Sequence, residues 1–222
     1  MNVILFGATG MVGQSVLREC LADPSVAKVL SIGRRPSGQA NPKLAEMVRA
    51  NLADVAAELN GYDACFFCLG VTSMGMSEAD YRKVTVDIAA AAAKTLVAQN
   101  PRMTFIYVSG TGTDSTGTSK TMWARVKGEG ENAIFALPFK GKFAFRPGFI
   151  RPAKGIVSRT ASYRVLYAVL RPLTPLAKVL LPHKVTSSEQ IGRAMLNVAR
   201  RGFAKPILDS DDINEAAGPA PS

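Results

Sequence analysis

The chain has 222 residues, 47% of them hydrophobic and 20% charged, a composition that predicts one soluble globular domain. It contains no run of eighteen apolar residues, which argues against a spanning helix, and its apolar amino-terminal run lacks the basic segment of a signal peptide. The odd count of three cysteines argues against a disulfide framework, and we therefore expect a cytoplasmic protein.

The first predicted strand, Val3–Phe6, runs directly into a glycine-rich turn and then into a predicted helix over Met11–Leu21. This order of strand, turn and helix is typical of a dinucleotide-binding βαβ unit. There the glycines let the backbone approach a pyrophosphate, and the free N–H groups at the helix start bind the phosphates. The alternative is a βα turn that merely needs glycines. The predicted phosphate-binding residues are Gly7, Thr9, Gly10, Met11, Val12 and Gly13.

Strand and helix patterns alternate along the rest of the chain. Helices between successive strands predict parallel pairing, so the expected fold class is α/β with a doubly wound parallel sheet, the Rossmann fold. The further predicted strands are Lys28–Ile32, Leu44–Arg49, Ala64–Leu69, Thr104–Val108, Phe143–Phe145 and Pro206–Leu208. The further predicted helices are Ala53–Leu59, a long helix capped by Ser77 and ending at Ala98, Lys120–Leu137 and Ser188–Arg201.

The expected organisation is one nucleotide-binding domain over residues 1–208. Its substrate-binding part covers about residues 150–187, where helical pieces interrupted by prolines predict a small lid. Residues 209–222 are predicted to be a flexible acidic tail.

The loops after the strands are expected to line one cleft, because cofactors of such sheets bind at the carboxyl ends of the strands. The second strand ends in Gly33, Arg34 and Arg35, without the carboxylate that holds the ribose hydroxyls in NAD-specific sites. Two guanidinium groups suit a 2′-phosphate, which favours NADP over NAD, unless both arginines are only surface charges. Asn51 and Leu52, after the third strand, are candidate contacts to adenine.

The net charge of +10 is carried by the second half of the chain. Residues 1–117 hold ten basic and ten acidic side chains, and residues 132–188 hold ten basic side chains and no carboxylate. This region predicts contact with an anionic substrate, an acidic partner or a membrane surface, or else forms a solvated basic face. No nucleic-acid-binding fold is evident, and none is expected.

Two cysteines three residues apart, Cys65 and Cys68, lie in a predicted buried strand. No second pair follows, and His183 is the only histidine. We therefore expect no metal site and interpret both cysteines as small core residues.

Five short motifs resemble one family: Gly7-Ala8-Thr9-Gly10 with Gly13, Arg34-Arg35, Cys68-Leu69-Gly70, Tyr107-Val108-Ser109 and Arg146-Pro147-Gly148-Phe149. Over about residues 1–205 the chain resembles the atypical short-chain dehydrogenases/reductases. Within them it is most similar to the NAD(P)H-binding branch related to nucleoside-diphosphate-sugar epimerases, which includes the Tat-interacting oxidoreductase. The further cofactor contacts that this resemblance implies are Cys68, Leu69, Gly70, Val108, Lys127, Pro147, Gly148 and Phe149.

The chemistry of that family uses a serine, a tyrosine and a lysine, often with an asparagine. Ser109 matches the serine and Lys127 the lysine, whereas Trp123 stands in the place of the tyrosine and Thr85 in that of the asparagine. We take these four as the candidate catalytic residues. An indole N–H donates a hydrogen bond but does not act as an acid or base at neutral pH, so another group would have to supply the proton.

Two functions follow from the resemblance. The first is an NADP-dependent oxidoreductase acting on a small carbonyl, alcohol or enone that is anionic or hydrophobic. The second is a non-catalytic regulator or scaffold that binds NADPH, because the catalytic tyrosine is replaced. Either protein is expected to be a monomer or a homodimer.

Overall fold

The computed structural model describes residues 1–54, 59–156 and 185–219. Most of the predicted helix Ala53–Leu59 lies outside the described residues. Most of the predicted lid over about residues 150–187, including His183, also lies outside the described residues. The same holds for the last three residues of the predicted tail.

A seven-stranded parallel sheet forms the centre of the molecule, with strands in the order β3-β2-β1-β4-β5-β6-β9. The chain starts in the middle of the sheet, winds to one edge, and then returns to build the other half, which is the order of a Rossmann fold. The predicted doubly wound parallel sheet is thus confirmed. The strands are β1 Asn2–Phe6, β2 Lys28–Gly33, β3 Leu44–Val48, β4 Ala64–Phe67, β5 Thr104–Val108, β6 Gly141–Phe145 and β9 Ile207–Leu208.

Helices cover both faces of this sheet. The long helix that the sequence predicts after Ser77 is divided into two α-helices by a π-helical turn over Lys83–Asp87. The α-helices of the described residues are α1 Met11–Ala22, α2 Glu78–Arg82, α3 Ile88–Gln99, α4 Met122–Phe135, α5 Ser188–Arg201 and α6 Ser210–Ala217.

The central strands are apolar throughout because both of their faces are buried. On one face, Val3 and Leu5 of β1 belong to a core shared with α1, α5 and α6. On the other face, Ile4 and Phe6 belong to a second core shared with α3 and α4. This burial fixes the sheet, so the loops at its carboxyl edge have a rigid support.

A second, two-stranded parallel sheet pairs β7, Phe149–Arg151, with β8, Val185–Ser187. The sequence analysis did not predict it, because three-residue strands carry too little periodicity to be recognised. Helix α5 begins directly after β8 with a capping box between Ser187 and Gln190. The register aligns Phe149 with Val185 and Arg151 with Ser187, so the two short strands bring segments that are distant in the sequence side by side.

The prediction of a flexible tail over residues 209–222 is wrong for its first part. Asp209 accepts hydrogen bonds from the backbone of Asp211 and Asp212 and so caps α6, while Ile213 and Ala217 are buried against the core. The acidic residues that suggested a solvated tail instead lie in the first turn of a helix, where negative charge is favourable.

Candidate functional site

The turn between β1 and α1 has room only for glycine at two positions. Gly7 has a left-handed φ of 83°, and a Cβ added to it would lie 2.6 Å from the carbonyl oxygen of Cys68. A Cβ added to Gly13 would lie 2.0 Å from the carbonyl oxygen of Gly7. The strand, the turn and the helix are therefore packed backbone against backbone.

The first turn of α1 can receive an anion. Gly10 occupies the N-cap and offers no side-chain cap, and the turn contains no acidic residue. The N–H groups of Met11, Val12 and Gly13 begin the helix at the carboxyl edge of the sheet, at the positive end of the helix dipole. Thr9 precedes them and uses its carbonyl to accept a hydrogen bond from Gln14 at 3.1 Å. This arrangement fits a pyrophosphate group.

The predicted contacts to the adenosine part differ in their exposure. Arg34 and Arg35 lie exposed in the turn after β2, on the strand that neighbours β1. Asn51 is also exposed, and its Oδ1 accepts the backbone N–H of Ala53 at 3.1 Å. Leu52 instead belongs to the core, with 3% of its surface exposed.

The segment after β4 lies beside the glycine turn. The backbone N–H of Cys68 donates to the carbonyl of Phe6 at 3.0 Å, which holds Cys68 next to Gly7. Leu69 is half-buried against the core, and Gly70 is exposed.

The three thiols behave as core groups. Burial raises the pKa of the Cys20, Cys65 and Cys68 thiols, so none is reactive as a thiolate near neutral pH. The Sγ of Cys68 lies 4.0 Å from the Sδ of Met195. Among the described residues no group of histidine, cysteine, aspartate and glutamate side chains could hold a metal ion.

Ser109 and Lys127 meet where β5 ends beneath α4. The Lys127 Nζ donates to the carbonyl oxygen of Ser109 at 2.7 Å. Burial lowers the pKa of Lys127 to about 8, and the nearby Glu131 carboxylate opposes that shift. An amine with a pKa near neutrality at the edge of a cleft can both bind and exchange a proton.

The carboxylate of Glu131 is the centre of this site and was missed by the sequence analysis. It is completely buried, and it accepts a hydrogen bond from Ser109 Oγ at 2.6 Å and from Arg146 Nε at 2.9 Å. Ser115 Oγ donates to its second oxygen at 2.8 Å. The only sequence signal was the spacing of four residues between Lys127 and Glu131, which places both side chains on one face of α4.

Trp123 and Thr85 stand in the places of the family's tyrosine and asparagine. Trp123 lies in the first turn of α4, and Thr85 lies in the π-helical turn that packs against α4. The half-buried Trp123 packs beside Val126, and its ring lies 3.2 Å from the position that a Cβ on Gly112 would take. Thr85 is buried in the π-helical turn; its Oγ1 has no hydrogen-bond partner, and its carbonyl accepts from Tyr107 at 3.4 Å. Interruptions of this kind in α-helices are frequent at functional sites.

The buried tyrosines are poor substitutes for the missing one. Burial raises the pKa of Tyr107, and only 1% of its surface is exposed. Tyr81 is 2% exposed in the cluster beneath Trp123. Neither hydroxyl lies open to a cleft, so the geometry gives no support to their use as proton donors.

The loops after β5 and β6 are tied together. The N–H of Thr111 donates to Pro147 at 3.0 Å, and the N–H of Gly148 donates to Ser210 Oγ at 2.9 Å. Val108 and Phe149 are half-buried on either side of this junction. These loops, the glycine turn and the segment after β4 all lie at the same edge of the sheet.

Residues 7–133 match a family model described as NAD(P)H-binding. The chain belongs to this NAD(P)H-binding family. It is 25% identical over 214 residues to the protein FMP52-1, mitochondrial, of Scheffersomyces stipitis, and covers 91% of that protein with 92% of its own length. It is 30% identical over 172 residues to the protein fmp52, mitochondrial, of Emericella nidulans, covering 72% of that protein with 70% of its own length.

The fold is shared with reductases and sugar-nucleotide enzymes. A short-chain dehydrogenase family protein from Francisella tularensis superposes with a TM-score of 0.67 at 14% identity, covering 97% of this chain and 98% of that one. MoeE5, solved with UDP-glucose and NAD, superposes with a TM-score of 0.67 at 15% identity. The match covers 94% of this chain and 75% of MoeE5. The predicted membership of the atypical short-chain dehydrogenases/reductases is thus confirmed.

The prediction of a cytoplasmic protein is contradicted by these relatives, several of which are named as mitochondrial. Free cysteines report a reducing compartment without saying which one, so the inference from cysteine count went too far. In the described part of the chain, no helix combines the length and the apolar character needed to cross a membrane.

Proposed function

We propose that this protein is an NADP-dependent oxidoreductase of the atypical short-chain type, acting on a small carbonyl, alcohol or enone. The observation that carries the proposal is the pairing of Lys127 with Ser109 at the same sheet edge as the glycine turn. A turn that merely needed glycines would not require a half-buried lysine, bonded to Ser109, at the same edge of the sheet. Bound NADP would supply the hydride acceptor, or NADPH the hydride donor.

The residues present fit this cofactor. The backbone of the turn from Gly7 to Gly13 would hold the pyrophosphate, since a Cβ would fill the space at either glycine. Arg34 and Arg35 would bind the 2′-phosphate, which favours NADP, although MoeE5 and WbmF were solved with NAD. Lys127 would bind the nicotinamide ribose, and Trp123 would form the wall beside the nicotinamide.

The proton for a carbonyl substrate must come from a group other than Trp123. Lys127 is the strongest candidate among the described residues, because its pKa of about 8 lies close to neutral pH. Ser109 Oγ, whose proton is directed to Glu131, would accept a hydrogen bond from the hydroxyl group of an alcohol substrate or product. The exposed Arg151 and Lys154, at the start of the predicted lid, support an anionic substrate.

An assay of NADPH oxidation across a panel of ketones, aldehydes and enones tests this function. We expect turnover with at least one class, lost in Lys127→Met but retained in Glu129→Gln, an exposed change on the same helix. Tight NADPH binding without turnover across the panel would contradict the oxidoreductase.

A second candidate is a regulator that binds NADPH without turnover. The replacement of the catalytic tyrosine by Trp123 favours it, since general acid catalysis contributes about 10²- to 10⁴-fold in rate. NADPH would then stabilise one shape of the loops at the carboxyl edge of the sheet. Binding without turnover in the assay above, together with capture of a protein partner only in the presence of NADPH, would establish it.

The names of the relatives support a mitochondrial location for this protein. The basic second half of the chain, with ten cationic side chains and no carboxylate in residues 132–188, would then face anionic partners or lipid there. Expression of the full chain with a carboxyl-terminal tag, followed by fractionation, tests the proposal. Recovery outside the mitochondrial fraction would contradict it.

A further inference from the structure

The carboxylate of Glu131 is buried but fully engaged. Arg146 approaches both oxygens, with its Nη2 at 2.5 Å from Oε2 and its Nε at 2.9 Å from Oε1. The same Nη2 donates to Ser115 Oγ at 2.6 Å, and Ser115 Oγ in turn donates a hydrogen bond to Glu131 Oε2 at 2.8 Å. A buried carboxylate is costly unless it is paired and hydrogen-bonded, and here both requirements are met.

Every polar group of Ser109 is also committed. Its N–H donates to Phe145 at 2.9 Å, its carbonyl receives the Lys127 Nζ, and its hydroxyl donates to Glu131 at 2.6 Å. A serine hydroxyl has one proton, and the shorter of its two contacts is the one to Glu131 rather than the one to Phe145. Its lone pairs alone are then left for a substrate.

We propose that Glu131, clamped by Arg146, is a positioning residue that fixes the Ser109 hydroxyl as a hydrogen-bond acceptor and keeps the Lys127 ammonium in place. This rests on the proposed function, in which Ser109 and Lys127 contact substrate and cofactor. It goes beyond that function because Glu131 is completely buried and acts on substrate and cofactor only through its neighbours. A purely structural ion pair between Glu131 and Arg146 would stabilise the fold without changing the orientation of the Ser109 hydroxyl or the pKa of Lys127.

The charges around Lys127 leave Glu131 as its main electrostatic partner. Arg146 follows β6 and is neutralised by Glu131, while Asp114 lies in the loop before α4, where three backbone N–H groups and Thr116 lower its pKa to about 2. The tyrosines of β5 and α2, Tyr107 and Tyr81, are uncharged. Of the other charged groups on the helices packed against α4, Lys94 of α3 is exposed to solvent. The rest pair at the surface: Arg82 with Glu129 and Asp87, Lys83 with Asp80, and Glu78 with Arg125.

Removing the Glu131 charge should therefore lower the pKa of Lys127 further, because burial would act unopposed and Arg146 would lose its counter-ion. The direct measurement is a pH titration of the ¹³Cε resonances of labelled lysine in the cofactor-free protein. Lys127 is assigned as the resonance that disappears in Lys127→Met. We expect its midpoint near pH 8 in the wild type and about one pH unit lower in Glu131→Gln.

Glu129→Gln is the matched control, since it makes the same chemical change two residues away on a side chain that is 45% exposed. Its Lys127 midpoint should equal that of the wild type. An unchanged midpoint in a folded Glu131→Gln protein would overturn the proposal. If Glu131→Gln does not fold, Glu131→Asp is used instead, because it keeps the negative charge but moves it away from Lys127. We expect the Lys127 midpoint to fall by less in this variant than in Glu131→Gln. An unchanged midpoint in Glu131→Asp would equally overturn the proposal.

A second readout separates this proposal from the proposed function. The affinity for NADPH, measured by calorimetry between pH 6 and 9, should decline as Lys127 loses its proton, at a lower pH in Glu131→Gln than in the wild type. If NADPH does not bind at any pH, the proposed function fails while the lysine titration still decides whether Glu131 tunes Lys127. If NADPH binds with the same pH profile in both proteins, the positioning role fails alone.

Discussion

Gly13 in the first turn of α1 lies so close to the carbonyl oxygen of Gly7 that a Cβ on Gly13 would come within 2.0 Å of it. No side chain can rotate away from this clash, because both partners are backbone. The contact joins β1 to α1 and places the N–H groups of the first turn of α1 at the carboxyl edge of the sheet. The cofactor site therefore requires a glycine at position 13, because a Cβ there would clash with the carbonyl oxygen of Gly7.

Gly13→Ala should separate α1 from the turn. We expect a loss of at least about 2 kcal/mol in the free energy of unfolding, measured by urea denaturation, and no measurable NADPH binding. Gly61→Ala is the control, because nothing lies within 4 Å of the Cβ added there, and its left-handed φ of 78°, which Gly13 does not share, is the only cost of the change. That variant should lose about 1 kcal/mol and keep NADPH binding. Equal effects of the two changes would contradict the assignment.

Replacing Arg34 and Arg35 together with alanine should reverse the preference between the two nicotinamide cofactors. Both side chains are exposed, so the fold should be unaffected. We expect the dissociation constant for NADPH to rise by about 10- to 100-fold, while that for NADH changes by less than about threefold. Calorimetric titration of the double variant with each nucleotide checks this. A parallel loss for both would mean that the arginines do not bind the 2′-phosphate.

Trp123→Tyr restores the hydroxyl that the family uses, one helical turn before Lys127. The rate of carbonyl reduction should rise by about 10- to 100-fold, because the phenol of the introduced tyrosine, beside the Lys127 ammonium, can act as an acid. Initial rates of NADPH oxidation with the best carbonyl of the panel measure the effect, with Trp123→Phe as the control lacking the hydroxyl. No difference between the tyrosine and phenylalanine variants would show that another group already supplies the proton.

Lys127→Met should stabilise the protein at neutral pH. The pKa of Lys127 falls from 10.5 to about 8 on folding, so the unfolded chain binds more protons between these values and wild-type stability rises with pH across that window. We expect the variant to gain about 1 to 2 kcal/mol at pH 7, less than the pKa shift alone implies because the bond to Ser109 is lost. Urea unfolding at pH 7 and pH 10.5 should show the advantage shrinking at the higher pH. A constant difference at both values would contradict the lowered pKa.

The cap of α6 tests whether the carboxyl-terminal helix is part of the domain. Asp209→Ala removes hydrogen bonds to two backbone N–H groups and should cost about 1 kcal/mol in the free energy of unfolding. Glu215→Ala, an exposed change near the end of the same helix, should cost less than about 0.5 kcal/mol. Thermal unfolding of both variants provides the comparison, and an unchanged Asp209→Ala protein would mean that the helix contributes nothing to stability.

The fold could be predicted from the sequence because its signals are local. The apolar run of β1, the glycines after it and the alternation of strand with helix each need only a few neighbouring residues. The cap that Asp209 provides was also local, but its acidic neighbours were interpreted as a solvated tail. The pairing of β7 with β8 was out of reach, since three-residue strands far apart in the chain carry no recognisable period.

The candidate site could be predicted only in part, because contacts between residues that are distant in the sequence leave no local pattern. The resemblance to the short-chain dehydrogenases/reductases identifies Ser109 and Lys127 by their place after β5 and in α4, and the structure brings the two together. Glu131 and Arg146 lie on different elements, fifteen residues apart, and nothing in their spacing indicates an ion pair. Only the packing of α4 on β5 and β6 brings them to Ser109.

The proposed cofactor site depends above all on the turn at Gly7 to Gly13, which would hold the pyrophosphate of NADPH. Trp123 is the single tryptophan of the chain, so its emission reports directly on a nicotinamide bound beside it. Titration with NADPH, followed in parallel by fluorescence and calorimetry, is predicted to quench that emission with measurable heat, and NADH is predicted to bind more weakly. Unchanged emission and no heat with either nucleotide would contradict the binding of a nicotinamide cofactor at this turn.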